Sequence, residues 1–251
     1  MTYKNNYYLI ILFLFLINNI AIAADWRVIA DGVEYQELID TNPIPWSHIH
    51  VFRIDLKHNN FSLVTAKDLH HNAAVIAEYA KSSKALLAIN SGFFDKNYNP
   101  LGLRISNTHK LNALRPISWW GIFYIKANKP YIANHTDKNN HYLNAEFAVQ
   151  SGPRIIIDGK ISTLKFPGYA ERSAIGITTN GKIILLVTEH NPISIQKLAK
   201  LMHEQPINCV QALNLDGGSS SQLYADLNKL HLHVHNFASV SDAIIITKNI
   251  I

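Results

Sequence analysis

Cysteine is nearly absent. Cys209 is the only one in 251 residues, so no intramolecular disulfide can staple the fold and the core alone must hold it. It sits in the apolar run "CVQAL" and reads as a buried, inert thiol rather than a nucleophile. Charge is also sparse, at 16% of residues against 48% hydrophobic. That balance excludes a disordered chain and suits one globular domain with a substantial core. The net charge is +5, yet the lysines and arginines form no cluster and no basic helix. Without a basic stripe interleaved with aromatics a nucleic-acid role has no support. A mild preference for anionic substrates is all that the charge implies.

Several reactive patterns are missing as well. There is no G-x-S-x-G elbow, no P-loop, no dinucleotide fingerprint and no H-E-x-x-H, so no motif calls for a metal or another cofactor. "HLHVH" aligns His231, His233 and His235 on one strand face, opposite Leu232 and Val234. At about 3.3 Å per residue the outer two are too far apart to share one ion, and the segment reads as a solvent-facing strand. Long apolar runs are confined to the start. "MTYKNNYYLIILFLFLINNIAIAADW" carries one lysine, an apolar run from Tyr7 to Ile17, and Ala21-x-Ala23 before Ala24. That is a secretory signal pattern cut after Ala23, with an apolar run shorter than the about 20 residues of a spanning helix. The expectation is a signal peptide at 1–23 and a domain at 24–251, periplasmic or secreted, with no membrane span once the signal is cut. The lipobox cysteine of a lipoprotein is absent.

What is present is mostly strand. "VFRIDL" (51–56) and "FSLVTA" (61–66) alternate and flank a turn-like "KHNN", which predicts a hairpin. "ALLAIN", "WWGIFYI", "RIIID", "SAIGIT", "KIILLVTE", "VQALNL" and "AIIIT" follow, several separated by turns such as "DGK" and "TNGK". Two helices are expected, one capped by Asn72 and one by Ser194 over "IQKLAKLMHE", where apolar residues recur at helical spacing. Each helix precedes an unbroken apolar run, the mark of a central strand covered on both faces. The fold class is α+β: a single domain with one large mixed β-sheet and a few packing helices. "AINSGFF" and "LNLDGGS" echo one another, and predict two similar loops leaving neighbouring central strands above a cleft.

Five motifs end or begin those strands. "AINSGFFD" offers Asn90, a turn at Gly92 and the carboxylate Asp95, and reads either as a hairpin or as a pocket wall. "VQSGPRIIIDGK" brings Ser151 to a strand end. "YAERSAIGIT" brings Glu171 and Arg172 to a strand start, as a surface ion pair or as a phosphate grip, since arginine can offer two parallel hydrogen bonds to phosphate. "LLVTEH" ends an apolar strand with Glu189, a carboxylate too costly to bury unpaired. "NLDGGSSSQL" holds Asn214, Asp216, Gly217, Gly218 and Ser219, either as a tight turn or as a backbone nest for an anion.

Taken together and in order, "AINSGFFD", "PLGL", "VQSGPRIIIDGK", "ERSAIGIT", "KIILLVTEH" and "ALNLDGGSSSQL" resemble the phosphodiester glycosidase family, from about Val51 to Thr247. The resemblance departs at Asn90-Ser91-Gly92, where the family has Gly-Gly, and at Ser173, where it often has threonine. It implies hydrolysis of the glycosidic bond of a sugar-1-phosphodiester, with a sugar-phosphate or glycan as substrate. On that reading Asp216 is catalytic with Glu189 or Glu171 as partner. Arg172 and Arg104 meet the phosphate, Gly217 and Gly218 form the nest, and Asn90 and Asn214 bind sugar hydroxyls. Two alternatives stay open: a phosphodiesterase breaking P–O on the same substrate, and a non-catalytic glycan-binding or envelope-assembly protein.

Overall fold

The computed structural model describes residues 25–38, 46–137, 141–163 and 166–249; the expected signal peptide lies outside them. In chain order the elements begin with β1 (Arg27–Ala30), β2 (Val33–Leu38), β3 (His48–Ile54), β4 (Asn59–Thr65), α1 (Ile76–Ser83), β5 (Leu87–Asn90), β6 (Arg104–Ser106), β7 (His109–Asn112), β8 (Gly121–Lys126) and β9 (Lys129–Ala133). They continue with β10 (Phe147–Ser151), β11 (Arg154–Ile157), β12 (Lys160–Ile161), β13 (Ser173–Thr178), β14 (Ile183–Glu189), α2 (Ile195–His203), β15 (Cys209–Asn214), β16 (Leu223–Leu227), β17 (Leu230–Val234) and β18 (Asp242–Lys248).

The α+β reading holds, with strands predominating. The expected large sheet is present as three. The first has eight strands in the order β1-β2-β3-β14-β13-β15-β11-β12; the second runs β17-β16-β5-β18-β4; the third runs β7-β6-β10-β8-β9. Every strand pairing among the described residues is antiparallel.

Period-two alternation sorts the side chains. In β14, Ile183, Leu185 and Val187 enter the main core, whereas Ile184 and Leu186 face α2. In β18, Ile244 and Ile246 enter the same core while Ala243 and Ile245 face α1. Phe123, Phe147 and Val149 of the third sheet join that core. The layers therefore run α2, first sheet, core, second sheet, α1, with the third sheet also packed on the core. β5 and β15 are interior strands of different sheets, which explains their unbroken apolar runs.

Three local expectations change. "VFRIDL" and "FSLVTA" are not a hairpin: β3 pairs with β2 and β14, and β4 pairs with β18. Phe52 and Ile54 meet Phe61 and Leu63 in one core from opposite sheets, and alternation alone cannot separate facing sheets from paired strands. The crossing is tied by Asn59, whose Nδ2 donates to the carbonyls of Asp31, Gly32 and Asp55 at 3.1–3.2 Å. Asn72 does not cap α1, because the helix starts at Ile76; the Ile76 N–H is satisfied from afar by Gln222 Oε1 at 3.1 Å. Ser194 does cap α2, its hydroxyl accepting from Lys197 N at 3.1 Å. Finally, the echoing loops leave strands of facing sheets rather than neighbours in one sheet.

Candidate active site

Strand direction gathers the motifs at one end of the core. β13 lies between β14 and β15 and runs against both. Its start therefore meets their ends, which brings Glu171 and Arg172 near Glu189 and Asn214. Three loops then cross between sheets. The chain leaves β5 for the third sheet through Ser91 and Gly92, leaves β10 for the first through Gly152 and Pro153, and leaves β15 for the second through Asp216–Ser221. "NLDGGSSSQL" is thus a crossover between sheets rather than a hairpin turn.

Hydrogen bonds lock the crossovers. Asn90 Nδ2 donates to the Asp216 carbonyl at 2.8 Å, and Asp216 N donates to the Ser91 carbonyl at 3.1 Å. Asn90 Oδ1 accepts from Ser173 Oγ at 2.6 Å and from Gln222 N at 3.2 Å. Asn214 Nδ2 donates to the Gly152 carbonyl at 2.9 Å. At Gly92 a Cβ would stand 2.6 Å from the Gln150 carbonyl oxygen and 2.9 Å from Arg104 Nη2, so only glycine permits that approach. Ser151 is fully buried beside it.

Asp216 is half-buried. Burial raises its pKa, while hydrogen bonds from Ser220 and from the Gly217 N–H, then the Arg104 charge, pull the other way. Glu171 is also half-buried and raised, again chiefly by burial, with the Glu189 charge adding to the rise. Its Oε1 accepts from His190 N at 2.9 Å and its Oε2 from Asn236. Glu189 moves the other way. A hydrogen bond from His50 holds its carboxyl below the ordinary value, with Glu189 Oε2 at 3.1 Å from His50 Nε2.

Arg172 is half-buried and makes no ion pair among the described residues. Its Nε donates to the Ile193 carbonyl at 3.0 Å and its Nη2 to the Gly168 carbonyl at 3.4 Å. Its Nη1 lies 3.9 Å from where a Cβ on Gly217 would stand. Burial alone lowers its pKa. A guanidinium desolvated by its surroundings and lacking an acidic neighbour is suited to receive an anion.

Other residues do different work from that expected. Arg104 is 1% exposed. Its Nε meets Asp242 at 3.1 Å, and its remaining nitrogens donate to the carbonyls of Leu101, Leu103, Gln150 and Phe93. It is a buried tie beneath the site, reaching Asp216 only through its field. Asn90 is fully buried with both amide atoms engaged, so it clamps the crossovers instead of meeting sugar hydroxyls. The nest is also occupied: Gly217 N donates to Asp216 Oδ1 at 3.0 Å and Gly218 N to the Glu171 carbonyl at 2.7 Å. Asp95 caps its own loop, accepting from the N–H groups of Asn97 and Asn99 at 2.8 and 2.9 Å. Ser219 is exposed, and its carbonyl accepts from Ala238 N.

Sequence reading missed His50, Tyr35 and Asn236. The signal for the first two was a polar ring at an inward position of an alternating strand, since His50 shares the parity of Phe52 and Ile54. Asn236 had none, because its partners Glu171 and Gly218 are remote in the chain.

Glu171, Glu189 and Asp216 thus lie at one end of the core, near the crossovers between three sheets, with Arg172 beside the Gly217 turn. The chain belongs to the phosphodiester glycosidase family, whose sequence model matches residues 83–247. Its fold is similar to the zebrafish N-acetylglucosamine-1-phosphodiester alpha-N-acetylglucosaminidase catalytic domain auto-inhibited by pro-peptide. That likeness has TM-score 0.66 and 18% identity, and covers 90% of this chain and 87% of that one. A hypothetical protein from Synechocystis is similar at TM-score 0.62 and 18% identity, over 86% of this chain and 62% of that one. The uncharacterized protein YigE of Escherichia coli (strain K12) is 30% identical over 57% of this chain, and the match spans 60% of that protein.

Proposed function

We propose that the chain is an exported hydrolase cleaving the glycosidic bond of a sugar-1-phosphodiester in envelope or extracellular glycans. One observation carries the reading: Arg172, half-buried and without an acidic partner among the described residues, stands beside Gly217 at the end of the core where Glu171, Glu189 and Asp216 also lie. A phosphodiester leaves as a weak base, so it needs charge stabilisation more than protonation. Arg172 supplies that, gripping the phosphate through the guanidinium edge nearest Gly217. The carboxylates serve the oxocarbenium-like centre and the attacking water, with Asp216 catalytic and Glu189 or Glu171 as its partner. Family membership supports the substrate class, and the N-terminal apolar pattern supports export.

Hydrolysis of a sugar-1-phosphodiester in oxygen-18 water tests the bond that breaks. Label in the sugar supports the glycosidase. Label in the phosphate overturns it in favour of P–O cleavage. No turnover across a panel of such diesters leaves the glycan-binding alternative.

A further inference from the structure

Tyr35 and His50 lie outside residues 83–247, the segment that the family model matches. Both nevertheless bear on the site. Tyr35 Oη is 2.8 Å from His50 Nδ1, and His50 Nε2 is 3.1 Å from Glu189 Oε2. The three residues sit on adjacent strands β2, β3 and β14. Tyr35 and His50 are 2% and 3% exposed, so their mutual bond is shielded from solvent, while the Glu189 side chain at the far end is 20% exposed.

The chain of bonds has one consistent proton arrangement for a neutral ring. An ionised carboxylate only accepts, so His50 Nε2 must carry the hydrogen. Nδ1 is then an acceptor to which the Tyr35 hydroxyl donates, in competition with the Glu37 carboxylate that also hydrogen-bonds that hydroxyl. We propose that His50, with its tautomer set by Tyr35, is a positioning residue that keeps Glu189 ionised, making Glu189 the carboxylate that enters the reaction as an anion. This rests on the glycosidase reading and assigns a role that it left open between Glu189 and Glu171.

The surroundings agree. Around Glu189 stand His50 and His48 from β3, His190 next in the chain, and Glu171 from the start of β13; the histidines lower its pKa. Around the relay stand Glu37 on β2 and His48, whose Nδ1 meets Glu37 Oε1 at 2.5 Å. The Tyr35 hydroxyl is pushed far above its ordinary value, chiefly by burial and then by Glu37, so it keeps its proton. Glu171 is displaced in the opposite direction from Glu189. Asp216 is displaced upward as well, so Glu189 is the one of the three carboxylates whose surroundings favour the anion, and it is the anionic partner of Asp216.

The test uses Tyr35→Phe, His50→Leu and His50→Gln. Loss of a hydrogen bond to a charged group predicts a fall in kcat of about 10–100-fold for His50→Leu, with KM within about threefold. The acidic limb of the pH–rate profile should move to higher pH. His50→Gln restores a donor near the Nε2 position and should recover most of the rate and of the limb. Tyr35→Phe should move the limb in the same direction by less. The second measurement is carbon-13 NMR titration of the glutamate carboxyls, with the Glu189 signal assigned by Glu189→Gln. It needs no turnover, so it decides the relay even if the phosphodiester is not a substrate. If the Glu189 titration is unmoved in folded His50→Leu, or in Tyr35→Phe should the leucine variant not fold, the proposal is overturned.

Discussion

Replacing Arg104 by methionine separates two roles for the residue. A phosphate ligand could be lost with little effect on folding. The structure instead buries Arg104 and the side chain of Asp242 almost completely, at 1% and 0% exposure. Arg104→Met keeps the unbranched apolar stem but removes the guanidinium, and leaves Asp242 charged and dry, supported among the described residues by Ser241 Oγ at 2.7 Å. It also releases the carbonyls of Phe93, Leu101, Leu103 and Gln150. Breaking one partner of a buried ion pair costs about 3–5 kcal/mol. At about 2–4 °C per kcal/mol for a chain of this size, Tm should fall by about 6–20 °C. The double variant Arg104→Met/Asp242→Leu should recover part of the loss, because no unpaired charge remains. Urea unfolding followed by tryptophan fluorescence measures both, with Trp120 buried near the site as an internal probe. A single variant within about 0.5 kcal/mol of the parent, the range of ordinary surface changes, combined with a raised KM, would refute the buried-tie reasoning and return Arg104 to the substrate.

Two further outcomes follow from the carboxylates. Asp216→Asn should abolish turnover on a sugar-1-phosphodiester while leaving the circular dichroism spectrum unchanged, and full activity would remove Asp216 from the mechanism. Because burial raises the Asp216 pKa, its ionised form opposes folding at neutral pH; thermal melts should therefore show the variant at least as stable as the parent at pH 7. Glu34 behaves oppositely: its hydrogen bonds from Arg53 at 2.6 and 2.7 Å hold its pKa below 4.5. That contribution is complete above the ordinary value and lost as pH falls through the folded one, so Tm should drop on acidification below about pH 4.5, and less steeply in Glu34→Gln.

Much of the architecture was legible because local chemistry carries it. Ser194 caps its helix as its position before "IQKLAKLMHE" implies, and the Asp158-Gly159 turn joins β11 to β12 as a hairpin. Positive φ at both residues, 49° and 72°, is what that turn requires. The candidate site residues stood out for a different reason. Carboxylates and glycines at the ends of apolar strands are costly or strained unless something gathers them, so Glu189, Asp216 and Gly92 announced themselves. Their partners did not. Asn90 looked like a sugar ligand and is a clamp; Arg104 looked like a phosphate ligand and is a tie. His50 passed unnoticed because its meaning lies in Glu189, 139 residues away.

The sequence by itself marked the central apolar strands and the second helix, which positions of those strands are apolar, and which polar residues stand at their ends. Those properties depend on spacing and on neighbours close in the chain. Tertiary structure alone decided how the strands divide into three sheets, since alternation looks the same whether the apolar face meets a paired strand or a facing sheet. It also decided the duty of each polar group. Whether a guanidinium is free or consumed depends on which carbonyls and carboxylates other strands bring to it. Arg104 and Arg172 differ in that respect, and only the packing distinguishes them.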